Sequence, residues 1–227
     1  MMKSTTPAIE YRRLTTPRAA AMAGIIFGLL FAASLVLLRS VIPASVTTDT
    51  TWLTTGAARI SLALALMPIA GIAYLWFIGV LRDRLGDYED RFFSTVFFGS
   101  SLLFLAMTFV SMAIAGGILA TNSSLTGETP DYTVIYFGRA LMLHISNVYA
   151  LRMAGVTMIS LATIWMRTGL MPRWLAIATY TLALALLVVV NYNVWITLVF
   201  PGWVLWISLL ILLQQRKQPD QQVLTPQ

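Results

Sequence analysis

Cysteine is absent from this chain of 227 residues, and charged residues and histidine are scarce. The absence of cysteine excludes disulfides, thiolate metal sites and cysteine nucleophiles. Charged residues make up 11% of the chain, whereas a soluble domain of ordinary composition carries about 25%. Hydrophobic residues make up 58%, and several uncharged segments reach the roughly 20 residues that a helix needs to cross a bilayer. These properties predict an all-α integral membrane protein without a separate soluble domain.

The few charged residues give the chain a net charge of +6 at pH 7. In a soluble protein, such a basic balance would suggest a nucleic-acid partner. Here the Lys and Arg residues lie in short segments that flank apolar blocks, as the positive-inside rule for membrane proteins describes. We therefore expect the lipid bilayer as the main partner and no nucleic acid.

Six apolar segments predict six transmembrane helices in a single domain of residues 19–213. The predicted spans cover about residues 19–38, 57–81, 92–120, 135–166, 174–190 and 194–213. Residues 1–18 would form a cytoplasmic N-terminal segment. The polar, Gln-rich residues 214–227 predict a disordered cytoplasmic tail.

The first apolar segment is interpreted as a retained span. Residues 19–38 are uncharged throughout, and they exceed the apolar region of a signal peptide, which has about 7–15 residues. The small residues Ala44-Ser45-Val46 keep cleavage open as an alternative.

The distribution of Lys and Arg predicts that both termini are cytoplasmic. Eleven of these residues lie on the side that holds the termini. The opposite side holds only Arg39, with Arg59 and Arg139 near the outer ends of spans. Because Lys and Arg set the orientation of membrane proteins, this bias favours an N-in, C-in arrangement.

A charged turn between the second and third spans carries a short loop motif. Residues 82–91 include seven charged residues in ten positions. Gly79, Asp83, Arg84 and Gly86 fit the pattern G-x-x-x-D-R-x-G. The motif resembles the loop signature between spans two and three of major facilitator superfamily transporters, and six spans equal one half of that fold. The chain departs from the family after the motif, where acidic and aromatic residues replace the family's basic ones.

A longer resemblance covers about residues 66–107, LMPIAGIAYLWFIGVLRDRLGDYEDRFFSTVFFGSSLLFLAM. This segment is similar to uncharacterised multi-pass membrane proteins of bacteria. The resemblance implies the cytoplasmic (inner) membrane of a bacterium and brings no known activity with it.

The fourth predicted span contains an unusual set of polar residues. At about 100° per residue, His144 and Asn147 lie about 60° apart on a helix, and Arg152 lies about 80° from His144. Every Asp and Glu of the chain falls outside the predicted spans. Arg152 must therefore find Asn147, a backbone carbonyl, water or an external anion. An intramembrane charge of this kind indicates a functional site, although Arg152 could also snorkel to an interface.

His144 is the single histidine of the chain. Paired histidine ligands for haem are thereby excluded, and a proton relay would need a carboxylate in the membrane. We expect His144 to form a hydrogen bond with a neighbouring helix, and we predict no metal and no cofactor.

Catalysis finds little support in the sequence. The chain contains no G-x-S-x-G motif, and Gly99-Ser100-Ser101 is interpreted as a packing patch of small residues. A nucleophile, a base and an orienting group cannot be named together. An enzyme therefore ranks behind a binding protein.

Small residues recur at every fourth position of the first span, at Ala20, Gly24, Gly28 and Ala32. Such a stripe lets two helices approach closely, and packing within the chain is favoured over packing between subunits. Pro68 and Pro201 predict kinks in the second and sixth spans.

The sequence thus favours a non-enzymatic membrane protein with a polar face on its fourth span. Arg152 would supply charge for an anionic lipid, an anionic solute or a partner membrane subunit, while Asn147 and His144 would orient it. A small oligomeric transporter or channel is the first alternative, and an intramembrane enzyme is the second. A homo-oligomer also stays open.

Overall fold

The computed structural model describes residues 17–43, 50–85, 91–124, 132–169, 171–188 and 194–217. The predicted N-terminal segment, the C-terminal tail and the alternative cleavage site lie almost entirely outside these residues. Within the described ranges, all regular structure is helical. Apolar segments adopt helices in membranes because the helix satisfies every backbone N–H and C=O internally.

The helices follow one another along the chain with short connections. In chain order they are α1 (Pro17–Arg39), α2 (Thr51–Thr55), α3 (Ala57–Leu85), α4 (Arg91–Ser124), α5 (Tyr132–His144), a π-helix (Ile145–Ala150), α6 (Leu151–Thr168), α7 (Arg173–Val188), a 3₁₀-helix (Val194–Leu198) and α8 (Val199–Lys217). The segment from α5 through the π-helix to α6 forms one continuous unit, which corresponds to the predicted fourth span.

Five helices of the described residues are long and apolar enough to cross a membrane. They are Arg18–Arg39, Ala57–Asp83, Phe92–Thr121, Tyr132–Thr168 and Trp195–Leu213. The prediction of an all-α, multi-pass membrane protein is thereby confirmed. The predicted fifth span corresponds to α7, which is apolar but has 16 residues. This length gives about 24 Å, less than the roughly 30 Å of a hydrocarbon core.

The helix α1 packs against α3 and α8. Ser34 Oγ of α1 donates a hydrogen bond to Ala63 O of α3 at 2.7 Å. Aromatic rings fill the centre, where Phe27 and Tyr74 have ring centroids 4.5 Å apart. On the other side of the bundle, α4 packs against α3 and α6, and α6 packs against α7.

The small-residue stripe of α1 accounts for its close packing. A Cβ atom on Gly24 would overlap Ser208 Oγ and would come within 2.8 Å of the Phe77 ring. A Cβ on Gly28 would overlap Leu205. The stripe therefore faces α3 and α8 of the same chain, and its glycines set the distance between these helices.

The two prolines occupy different settings. Pro68 lies inside α3, which continues through it without interruption. Pro201 lies in the first turn of α8, just after the change from the 3₁₀-helix to the α-helix. A proline is tolerated there because the first turn of a helix needs few intrahelical N–H donors.

The charged turn begins inside a helix. Three residues of the loop motif, Gly79, Asp83 and Arg84, belong to the last turns of α3, and Gly86 lies outside the described residues. The Arg82 guanidinium lies 4.4 Å from the centroid of the Phe98 ring. At the same end of the bundle, the Arg167 guanidinium lies 4.8 Å from that of Phe93. Cation–π contacts thus hold two of the arginines that the orientation rule counts.

Candidate functional site

A π-helix interrupts the fourth span at Ile145–Ala150. The π-helix is rare, and it occurs mostly as single turns within α-helices, frequently at functional sites. This turn contains Ser146 and Asn147, and it packs against α4, α5 and α6. It therefore presents two polar side chains from a point where the regular α-helical hydrogen bonding changes.

Both side chains bind Arg39, the last residue of α1. Arg39 Nη2 donates to Ser146 Oγ at 2.9 Å and to Asn147 Oδ1 at 2.9 Å. These contacts join the end of the first span to the middle of the fourth, across more than one hundred residues of sequence. They fix the plane of the guanidinium.

The remaining guanidinium nitrogens of Arg39 point into the protein. The side chain is only 7% exposed. Its Nε and Nη1 atoms are buried, and they form no hydrogen bond with any described residue. Buried polar groups are hydrogen-bonded in the great majority of cases, and an uncompensated buried charge costs several kcal/mol, on the order of 3–5. Arg39 is thus the feature of this site that needs a partner.

A cavity of about 20 Å³ adjoins Arg39. Its walls come from α1, α4, the π-helix and its two neighbouring helices, and the 3₁₀-helix. Besides Arg39, the polar groups in the wall are hydroxyls: Thr108, Ser111, Ser146 and Thr197. The volume exceeds the roughly 10–15 Å³ that one water molecule needs, so the cavity can hold a small polar occupant.

Three of these hydroxyls already use their protons on backbone carbonyls. Thr108 Oγ1 donates to Phe104 O at 2.9 Å, and Ser111 Oγ donates to Met142 O at 3.0 Å. Ser146 Oγ lies 3.3 Å from Leu143 O as a donor. A hydroxyl has a single proton, so these three side chains have no further proton to donate to an occupant of the cavity.

A second arginine stands close to the first. Arg139 of α5 donates from Nη2 to Pro43 O, and it lies near enough to repel the charge of Arg39. Arg139 also lines a neighbouring cavity of about 10 Å³, together with Trp52 and Met142. Two positive charges thus converge where α1 ends, and repulsion between them adds to the cost of burying Arg39.

The three polar residues that the sequence placed on one face of the fourth span, His144, Asn147 and Arg152, each contact a different part of the protein. Asn147 contacts Arg39, as described above. Arg152 is half-buried, and its Nη1 donates to Val148 O of the π-helix at 3.2 Å. His144 is exposed, and its ring lies edge-on to Tyr149, with centroids 5.7 Å apart. Among the described residues, His144 does not form the expected hydrogen bond with a neighbouring helix. Ligand binding by Arg152 and His144 stays a prediction.

Arg39 and Arg139 carry the site, yet the sequence interpretation used them only to count charges outside the membrane. A signal for them was present. Arg39 follows twenty uncharged residues directly, and the predicted orientation puts both arginines on the side that has few Lys and Arg residues. The positive-inside rule does not account for an arginine at such a position. The structure accounts for Arg39 by its buried hydrogen bonds to Ser146 and Asn147.

The Gly99-Ser100-Ser101 patch packs α4 against α6. Ser100 Oγ and Thr157 Oγ1 lie 3.0 Å apart, and Ser101 Oγ lies 3.4 Å from the same Thr157 atom. All three hydroxyl residues are buried. Their geometry is that of polar contacts between packed helices, and it contains no base that could activate a serine.

Comparison of the chain with protein-family models, with curated proteins and with solved structures finds no match. The function of the site is therefore argued from its own geometry.

Proposed function

We propose that the protein is a non-enzymatic membrane protein that binds an anionic group where the first span meets the polar turn of the fourth. Arg39 would supply the charge, and Ser146 and Asn147 would hold the guanidinium in place. The proposal moves the charge that the sequence interpretation gave to Arg152 onto Arg39. It keeps Asn147 as the orienting residue.

One observation carries this proposal: the Arg39 guanidinium is buried beside a cavity, and its Nε and Nη1 atoms have no hydrogen-bond partner among the described residues. Among the residues that the structure describes, no carboxylate forms an ion pair with it. Neutral oxygens such as Asn147 Oδ1 can accept hydrogen bonds, but they cannot balance the charge. An anionic lipid headgroup, an anionic solute or a carboxylate of a partner subunit would do both, through the same N–H groups.

We also propose six spans with both termini in the cytoplasm of a bacterium. The packing of α7 supports its role as a sixth span. Tyr180 Oη lies 2.5 Å from Thr163 Oγ1, and a Cβ on Gly155 would lie 3.1 Å from Leu187. The helix therefore lies alongside α6 over most of its length. In this arrangement, Arg39 and Arg139 lie at the outer face and Arg82 and Arg167 at the inner face.

The test is native mass spectrometry of the protein released from lipid nanodiscs. Wild type is compared with Arg39→Gln and Arg152→Gln, and Arg59→Gln serves as a control because Arg59 is exposed. We expect a discrete added mass on wild type, on Arg152→Gln and on the control. The same mass should be absent from Arg39→Gln.

Two results would contradict the proposal. An added mass that disappears only with Arg152→Gln would return the site to the residue favoured by the sequence. An added mass that persists in folded Arg39→Gln would show that the anion binds elsewhere.

A further inference from the structure

We infer that the protein binds anionic phospholipids at the end of the bundle away from Arg39, through two arginines that lie on phenylalanine rings of α4. They are Arg82 of α3, which lies on Phe98, and Arg167 of α6, which lies on Phe93. The inference concerns a separate surface and does not rest on anion binding at Arg39. In the proposed orientation, these lipids belong to the cytoplasmic leaflet.

The packing of α1 against α3 places this surface. Ser34 of α1 contacts Ala63 of α3, and Gly24 lies against Phe77. The two helices therefore run in opposite directions, and the end of α3 lies beside the start of α1, far from Arg39. Four exposed arginines belong to helix ends on this side: Arg18, Arg82, Arg167 and Arg173.

The two stacked arginines are held in a defined orientation. The Arg82 guanidinium lies 4.4 Å from the centroid of the Phe98 ring, and the Arg167 guanidinium lies 4.8 Å from that of Phe93. A guanidinium on a ring uses its flat face for this contact. Its N–H groups lie at the edge of the plane, where two of them can bind two oxygens of one phosphate. Because the plane is already fixed, less conformational entropy is lost when the phosphate binds.

The charge at this surface suits an anion. Asp83 is the one acidic residue among the described ranges, and it follows Arg82 directly. Adjacent residues point about 100° apart around a helix, so the Asp83 side chain leaves in another direction. The segment from Arg167 to Arg173 contains no acidic residue at all. An anionic group therefore complements this side of the molecule.

Apolar side chains beside the arginines indicate that the anion is part of a lipid. Phe92 is 67% exposed, and Met166 and Trp174 are also exposed. Phe92 and Met166 each precede a residue of the second cation–π pair, Phe93 and Arg167, by one position in the chain. A soluble anion would use only the guanidinium groups. A phospholipid places its phosphate on the arginines and its acyl chains against the apolar residues, and anionic lipids are attracted to basic residues at the ends of spans.

Arg173 provides a matched comparison at the same end of the bundle. It is exposed, and within the described ranges its guanidinium lies on no ring and forms no ion pair. Arg173 therefore contributes a positive charge without a fixed orientation. If phosphate recognition depends on the stacked geometry, Arg82 and Arg167 should matter more than Arg173.

The test counts bound lipids directly. The full chain is delipidated in detergent and titrated with phosphatidylglycerol or, as a neutral comparison, phosphatidylcholine, and bound lipids are counted by native mass spectrometry. We expect wild type to bind two phosphatidylglycerol molecules with a clear preference over phosphatidylcholine. Arg82→Gln and Arg167→Gln should each weaken the binding of one of them by about 10- to 100-fold, because hydrogen bonds to a charged group are lost. Arg173→Gln should weaken binding by about 5-fold or less, as expected for a basic residue that only attracts the anionic lipid.

Two further variants separate orientation from charge. Arg82→Lys keeps the positive charge but has no planar fork, and we expect it to lose most of the affinity that Arg82→Gln loses. Phe98→Leu keeps Arg82 and removes the ring, and we expect a loss of about 2- to 5-fold at the same site. Full affinity in both variants would overturn the role of the stacked geometry.

The outcomes separate this inference from the proposed function. Arg39→Gln should retain both phosphatidylglycerol molecules at this end, even if it loses the anion at its own site. An equal loss of affinity in Arg82→Gln, Arg167→Gln and Arg173→Gln would show diffuse attraction and overturn the inference. Binding of phosphatidylglycerol that depends on Arg39 alone would overturn the inference as well, and it would support the proposed function.

Discussion

A double-mutant cycle between Arg39 and Asn147 tests the contact on which the site is built. The variants are Arg39→Met, Asn147→Ala and the combination of the two. Methionine keeps much of the length of the arginine side chain and cannot donate a hydrogen bond to Asn147. Each single variant removes the bond from Arg39 Nη2 to Asn147 Oδ1, which measures 2.9 Å.

The expected coupling follows from the nature of this bond. A hydrogen bond that involves a charged group contributes about 1.5–3 kcal/mol to stability. Arg39 is almost fully buried and Asn147 is half-buried, so solvent screens the bond only in part. The Ser146 hydroxyl accepts from the same nitrogen and can retain the guanidinium in part when Asn147 is truncated. We therefore expect the double variant to lose about 1.5–2 kcal/mol less stability than the sum of the single variants.

The assay is equilibrium unfolding in mixed micelles, followed by tryptophan fluorescence. A second cycle between Arg152 and Asn147 is the matched control, because the hydrogen bond of Arg152 goes to Val148 O. We expect the control pair to be additive within about 0.5 kcal/mol. This account of the site would be refuted if the stability losses of the Arg39 and Asn147 variants were additive while those of the Arg152 and Asn147 variants were coupled.

Three further predictions concern packing, the π-helix and orientation. Gly28→Ala should destabilise the protein by about 1–3 kcal/mol through overpacking, whereas Gly99→Ala, with open space at its Cβ, should be neutral or slightly stabilising in the same unfolding assay. Equal losses in both would show that the stripe does not set the packing. Deletion of Val148 should restore a regular α-helix and turn the preceding segment by about 100°; the folded variant should lose the Arg39-dependent added mass in native mass spectrometry, and retention of that mass would separate the π-helix from the site. Because the chain has no cysteine, single substitutions report orientation directly: Ser40→Cys should react with a membrane-impermeant maleimide in intact cells and Arg173→Cys only after permeabilisation, and the reverse pattern would invert the proposed topology.

The helical segments could be predicted because a bilayer restricts the backbone to very few structures. Each of the six apolar segments contains a helix, and the differences in bounds are small. The second span was predicted to end at residue 81, and α3 continues to Leu85. The last turn of α3 is charged, so the end of the apolar segment does not show where the helix itself ends.

The π-helix could not be predicted from its sequence. Residues Ile145–Ala150 read ISNVYA, which contains neither proline nor glycine. Regular spacing of 100° per residue placed His144, Asn147 and Arg152 on one face. A π-turn changes that spacing for the residues that follow it, so Asn147 reaches Arg39 while Arg152 reaches Val148 O. The partner of Asn147 lies in another span, and a residue pair so distant in sequence is not encoded in local periodicity.

The π-helix provides hydrogen-bond acceptors for two arginines, Arg39 and Arg152. It supplies two neutral oxygens, from Ser146 and Asn147, to Arg39. It also supplies Val148 O to Arg152. These oxygens satisfy some of the N–H groups, but they leave the charge itself unbalanced. Arg152 differs from Arg39 because its side chain is only half-buried, and a long basic side chain of this kind can extend toward a polar interface. Arg39 is held by two hydrogen bonds and is almost fully buried, and this difference is why we propose the anion site at Arg39 rather than at Arg152.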